Sequence, residues 1–412
     1  MRCLYWVRSD LRLHDNYTLE LFCRDSEYGT FLWTPSPSYL RAGKIRKEFV
    51  DACVASFHRS LMPNAQMLQI GAQSIDVEIA RQIEKHKIEC LYFTREFACE
   101  ELDAEARISK LCHEKGVEVI AVDQSTLIRE NDLPFLLADL PSVFTVFKKK
   151  VEAKLKVRDL ASLPLQYPRL ISSIPESHYF TGSTALEDPA GETAARSRLQ
   201  EYLWNTDSIQ TYKITRNGLL GLNDSTKLSP WLNQGCLSSR QIHHELFRYE
   251  QERVTNDSTY WLRFELLWRD YFKFLSRKNG NRIFRQQGLR SDQNLEPVGE
   301  LAQERYLSWC TGKTADSFVN ANIHELNETG WMSNRGRQNV ASYLIHQLQV
   351  PWTWGARYFE EQLFDYDPDL NWGNWLYLSG RGTDPRSRVF NAALQAQIYD
   401  PGEVYQKKWN RA

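Results

Sequence analysis

Short apolar runs alternate with amphipathic stretches through roughly the first 125 residues, and no other feature constrains the fold as much. The runs fall at 3–7, 30–33, 67–70, 89–93 and 117–122 and have strand length. Between them, 43–61, 74–86 and 100–115 carry apolar residues at helical spacing. In the first of these, Phe49, Val50, Cys53, Val54 and Phe57 form one stripe. Strand–helix alternation predicts a doubly wound parallel sheet, an α/β domain over residues 1–125. No G-x-G-x-x-G follows the first run, which disfavours a dehydrogenase-type dinucleotide site.

The rhythm then breaks. Pro134, Pro141, Pro164, Pro168 and Pro175 interrupt residues 126–189, which read as a connector crossing the surface, with a short helix near 144–156. From residue 190 to 412 the pattern is helical almost throughout. Eleven of the thirteen tryptophans lie from Trp204 onward, so this part is a second, all-α domain of different character. At 412 residues the chain can fill two cores. A net charge of −1 gives no global field for nucleic acid, so such a partner would need a local patch. The eight cysteines include no C-x-x-C pair, which argues for free thiols in a reducing compartment and against a zinc site. No apolar run reaches membrane-spanning length. The expectation is a soluble, cytoplasmic monomer with no bound metal.

Polar and aromatic residues gather in three places. Asn334-Arg335-Gly336-Arg337-Gln338-Asn339-Val340, Phe364-Asp365-Tyr366-Asp367 and Asn371-Trp372-Gly373-Asn374-Trp375 mix charges, amides and indoles that are costly to bury unpaired. They suit a polar pocket with an electron-rich wall, or a polar network between helices. In Trp261-Leu262-Arg263-Phe264-Glu265-Leu266-Leu267-Trp268-Arg269, helical spacing puts Glu265 on one face with Trp261 and Trp268. Its pKa should rise there, unless it is spent on a salt bridge with Arg269. Tyr212 and the run Ser225-Thr226-Lys227-Leu228-Ser229-Pro230 precede a helix that Pro230 would start. The run suits a phosphate at that helix N-terminus or an ordinary capped turn. Lys273, Arg277, Lys278, Arg282, Arg285 and Arg290 form a stretch without acids, suited to phosphates at a pocket rim or to a solvated face.

These motifs resemble the photolyase/cryptochrome family, and most closely its DASH-type cryptochromes. The opening Trp6-Val7-Arg8-Ser9-Asp10-Leu11-Arg12-Leu13-His14-Asp15-Asn16 is similar to the family's W-F-R-x-D-L-R-x-x-D-N, and the resemblance covers nearly the whole chain. It implies an FAD pocket built from Tyr212, Ser225, Thr226, Lys227, Leu228, Ser229, Asn334, Arg337, Asp365, Asp367 and Asn371. Asn371 would sit near flavin N5, and Asp367 would accept from the ring or ribose edge. Glu265, Trp268, Asn334, Gln338 and Tyr377 would meet the DNA lesion, with Trp268 stacking on it. Gln338 and Tyr377 match DASH-type usage. Trp375 and Trp352 would carry electrons inward to the flavin. The family's outer donor has no counterpart, because no tryptophan lies between Trp268 and Trp309. Arg269, Arg335 and Arg388 would grip DNA, with Arg386 nearby.

The activity implied is deoxyribodipyrimidine photo-lyase chemistry, the blue-light-driven splitting of cyclobutane pyrimidine dimers in single- or double-stranded DNA. The rival is a blue-light photosensor that binds FAD and DNA without repair. Ser333-Asn334 in place of a histidine pair argues against (6-4) repair. The resemblance also allows a folate antenna, methenyltetrahydrofolate, in the N-terminal domain near Glu96. The chain stops soon after the flavin motifs, so no signalling tail is expected.

Overall fold

Five strands pair in the order β3-β2-β1-β4-β5, every pair parallel. They are β1 (Arg2–Val7), β2 (Tyr28–Trp33), β3 (Met67–Gln69), β4 (Cys90–Thr94) and β5 (Glu118–Val122). The computed structural model describes residues 1–62, 67–69, 75–171, 190–290, 299–384 and 388–410. Ile70, Ser74, Pro175 and Arg386 therefore lie outside the described residues. The order reverses at β1, as a doubly wound sheet requires. The period of two sorts β1 cleanly. Cys3, Tyr5 and Val7 enter one core, while Leu4 and Trp6 enter another on the opposite face with Ile79, Ile83 and Ile108.

The first of these cores does not end with the sheet. It continues through Phe144, Phe147 and Leu199 into Leu262, Leu266 and Phe274 of the long Asp257–Asn279 helix. Along its described residues the connector is largely exposed but sends one helix into this core. Its Phe144–Glu152 helix buries Phe144, Phe147 and Val151. Arg169–Leu170 returns as a sixth strand, parallel to β2. The buried Asp270 carboxylate accepts the backbone N–H groups of Leu127 and Ile128 at 3.1 and 3.0 Å, tying the connector to the helical part. Burial pushes that carboxyl up to about 7, against the pull of Arg269.

From Gly191 the chain is helical. A further core gathers Trp309, Val340, Trp352, Trp372 and Trp375. Two helix starts bring polar groups towards this core. Ser333 caps the Asn334–Ser342 helix by accepting the Gly336 N–H at 3.0 Å. Asp367 caps Pro368–Leu378 through the Leu370 N–H at 3.1 Å, with Pro368 in the first turn. Among the described residues no helix is long and apolar enough to cross a membrane. All eight cysteines are free thiols.

Candidate active site

A cavity of about 450 Å³ opens in the helical part, walled by the 212–229 loop and by the helices Asp257–Asn279, Asn334–Ser342 and Pro368–Leu378. It collects Tyr212, Ser225, Thr226, Lys227, Leu228, Ser229, Glu265, Trp268, Arg269, Asn334, Arg337, Gln338, Asp365, Asp367, Asn371, Trp375 and Tyr377. Residues far apart in sequence thus share one lining. Trp352, Arg335 and Arg388 lie outside that lining.

Arg337 and Asp365 form its ionic wall. One guanidinium nitrogen of Arg337 donates to both Asp365 oxygens, at 3.0 and 2.9 Å, and its Nε donates to the Met332 carbonyl at 2.9 Å. Ser229 Oγ donates to Asp365 Oδ2 at 2.7 Å. Asn233 Nδ2 donates to the Asp365 carbonyl. At 4 % exposure the Asp365 carboxylate depends on these partners.

Asp367 lines this cavity and a second one as well. Lys273 Nζ lies 3.0 Å from Asp367 and 3.0 Å from Asp369, and all three side chains are buried. Burial pushes Asp369 up to about 6. Burial would raise Asp367 too, but Lys273 and Arg269 hold it below the usual carboxylate range. Both Asp367 oxygens therefore already have protein partners, the capping N–H and Lys273.

The opposite wall is aromatic. Glu265 Oε1 accepts from Trp261 Nε1 at 3.0 Å and from Arg216 Nη1 at 2.7 Å, so its cation is Arg216 rather than Arg269. Burial raises its pKa in spite of both. Trp268 and Tyr377 meet at 5.7 Å and 67°, forming a corner beside Glu265. Phe144, which does not line the cavity, lies flat on Trp268 at 3.7 Å and 13° and fixes the indole from behind. Arg388 sits over the Tyr377 ring at 4.8 Å and pairs with Asp384 at 3.5 Å.

Asn371 is fixed by its Nδ2, which donates to the Ala356 carbonyl at 2.9 Å. Trp375, at 2 % exposure, presses on Gly355, where a Cβ would meet its ring at 2.2 Å. Trp352, on the same Trp352–Gln362 helix as Gly355, packs against Trp372 at 5.7 Å.

Three expectations need correcting. Arg269 is not on an outer DNA rim. Only 9 % exposed, it donates to the Ser125 carbonyl at 2.7 Å and stands between this cavity and that second one. The basic stretch is spent internally only at its start, Lys273 as above and Arg277 on Glu130 at 2.8 Å, while Lys278, which donates to the Leu140 carbonyl at 3.2 Å, and Arg282 and Arg285 are exposed. The helix begun by Pro230 is only Ser229–Asn233, too short for an anion site at its N-terminus. The loop before it is instead pinned by Arg198, whose Nε reaches the Thr226 carbonyl at 3.0 Å and Nη2 the Ser225 carbonyl at 3.2 Å. Sequence patterns alone mark neither Arg198 nor Phe144 as part of the site, and they do not pair Arg216 with Glu265. Helical spacing around Phe144 and Phe147 is the one usable signal.

The lining fits FAD. The Gln338 Oε1 and Asn233 Oδ1 atoms are shielded from solvent and have no protein partner, so the wall holds acceptors matched to ligand N–H groups. Hydroxyls and a lysine on the 225–229 loop face the same space as the indoles, one end suited to a pyrophosphate and the other to a flat ring. An α/β sheet joined to a helical bundle around such a cavity defines a class, the two-part flavoproteins. Residues 261–411 match the FAD binding domain of DNA photolyase, and residues 3–168 match DNA photolyase. The chain is 40% identical over 429 residues to the cryptochrome DASH of Synechocystis sp., covering 98% of this chain and 86% of that protein. It superposes on the crystal structure of a Synechocystis sp. cryptochrome with a TM-score of 0.90 at 38% identity, over 99% of this chain and 88% of that one. The archaeal photolyase of Sulfolobus tokodaii, solved with two FAD molecules, shares the fold at a TM-score of 0.82 and 24% identity, over 100% and 90% of the two chains. The chain belongs to the photolyase/cryptochrome family, on its DASH-type branch. FAD is its cofactor.

Proposed function

We propose that this protein is a deoxyribodipyrimidine photo-lyase that splits cyclobutane pyrimidine dimers in DNA under blue light. The observation carrying this reading is Glu265, half-buried in the flavin cavity beside the Trp268–Tyr377 corner. A carboxyl beside that aromatic corner faces the space a lesion would fill, which light sensing alone does not require. Reduced FAD supplies the light-driven electron that opens the cyclobutane ring. The protein's own work is positional. Arg337, Asp365, Ser229 and the loop pinned by Arg198 hold the cofactor. Trp268, stiffened by Phe144, and Tyr377 offer an apolar corner to a pyrimidine dimer turned out of the duplex. Asn334, exposed at the start of its helix, and Gln338 stand between cofactor and lesion. The repair electron would come back from the split pyrimidines, whereas Trp375 and Trp352 would carry electrons inward when oxidised flavin is photoreduced. Arg335 and Arg388 lie outside the cavity lining, where phosphates would pass.

When it takes up a proton, in competition with its ion pair to Arg216, the Glu265 carboxyl can donate a hydrogen bond to a pyrimidine carbonyl oxygen as negative charge develops there. Losing one such donor costs about 3 kcal/mol in thermally driven enzymes. Here charge return competes, so Glu265→Ala is expected to lower dimers split per absorbed photon by part, with FAD content unchanged. An unchanged yield in that variant would remove Glu265 from the mechanism.

The second cavity, about 470 Å³, lies between the sheet and the helical part and is lined by Trp6, Arg8, Glu96 and Glu101. Its carboxylates suit the amino and ring N–H groups of a pterin, and we place the folate antenna there.

A further inference from the structure

We propose that electrons reach Trp375 by a second route, from Tyr306 through Trp309, beside the Trp352 route. This rests on the flavin site proposed above. Trp375 lines the cavity, and ring neighbours seen among the described residues are Phe359 at 5.1 Å and Trp309 at 6.3 Å and 75°. Of these two, only the indole is readily oxidised. Trp309 is 0 % exposed and donates its Nε1–H to the Val340 carbonyl at 3.1 Å. Tyr306 lies three residues before it on the Glu300–Cys310 helix and so shares its face. The two rings stack at 6.3 Å and 20°. Tyr306 is half-buried and packs edge-on against the half-buried Trp354 at 5.2 Å. This line of rings therefore runs from the cavity wall to solvent.

The other branch ends differently. Trp352 meets Trp372 at 5.7 Å. Trp372 meets Phe284 at 5.1 Å and donates to the Tyr366 hydroxyl at 3.2 Å. Trp352, Trp372 and Tyr366 are all buried, and Phe284 is a poor donor.

The electrons balance along the whole line. Trp375 would give one electron to light-excited, oxidised FAD held in the cavity. Trp309 gives one electron to the Trp375 radical cation. Tyr306 gives one electron to Trp309 and releases its phenolic proton to water. An external thiol then passes a hydrogen atom to the tyrosyl radical, and two thiyl radicals couple to a disulfide.

The test uses the FAD-containing protein under blue light with a thiol, with bound FAD read first from the absorption band of each variant. Loss of the cofactor is thereby told apart from loss of the route. Trp352→Phe removes one of the two routes and is expected to slow photoreduction without stopping it. Adding Tyr306→Phe, which removes only a hydroxyl and leaves the packing, should slow it about tenfold, the change that about 1.4 kcal/mol on a barrier brings. Frozen, illuminated parent protein should show a tyrosine-type radical by electron paramagnetic resonance, absent in Tyr306→Phe. The route is overturned if FAD-loaded Trp352→Phe no longer photoreduces, or if Tyr306→Phe keeps the parental radical spectrum and leaves the rate of the double variant unchanged.

Discussion

An Arg337→Ala protein is expected to emerge from purification without FAD. The substitution strips Asp365 of the guanidinium that both its oxygens use, in a place only 4 % exposed. Removing one member of a buried pair costs about 3–5 kcal/mol, because the other charge is left behind. Ser229 and the Asn233 amide cannot neutralise it. If the cavity wall is the cofactor's wall, that cost appears as a fall in affinity on the order of a hundredfold or more. The flavin-to-protein absorbance ratio reads it directly, and titration with FAD gives its size. Arg337→Lys keeps the charge without the fork and should fall between. An Arg337→Ala protein holding FAD at parental affinity would show that this ion pair serves packing alone.

Lys273→Met should unfold the interface rather than empty the site. Lys273 is the shared cation of two buried carboxylates, each 3.0 Å away. Without it Asp369 loses its ion pair and Asp367 keeps only Arg269 and the capping N–H, and the loss should again be about 3–5 kcal/mol. The pH dependence comes from the shifts. Asp369, raised to about 6 by burial, holds its proton more tightly folded than unfolded. Its contribution to stability therefore falls as pH rises through that value. Asp367 has the opposite sign while Lys273 is present, since it is depressed. Removing Lys273 raises both, so the variant's deficit should be large at pH 8 and shrink towards pH 5, where protonation relieves the buried charge. Urea unfolding at the two pH values measures it. An equal deficit at both would mean that Lys273 acts through its apolar stem.

How much of the molecule is legible from residues alone differs by kind of interaction. The sheet is legible because each strand is short, apolar and followed by an amphipathic helix, a local pattern. Helical spacing likewise puts Trp261, Glu265 and Trp268 on one face. Pairings between distant segments are not legible. Nothing near Lys273 announces Asp367, ninety-four positions on, so a run of basic residues looks like a rim when its first member is buried. Arg269 misleads for the same reason, since the carbonyl it serves belongs to Ser125. The connector looks like a surface crossing along its whole length because its prolines outweigh Phe144 and Phe147, whose burial depends on Trp268, Tyr271 and Phe274 arriving from another part of the chain. Motifs carried by family resemblance fare better than charge, because they encode long-range pairings that spacing cannot. Resemblance puts the 225–229 run on the cavity, while Arg198, which pins it, has no signal of its own.

The most direct test of the central claim is light-dependent splitting of a thymine dimer by the pre-reduced parent protein, in single-stranded and in double-stranded oligonucleotides. The account predicts splitting in at least one DNA form under blue light and none in the dark. No splitting in either form, with FAD fully bound and reduced, would contradict it and leave a light-absorbing flavoprotein that does not repair.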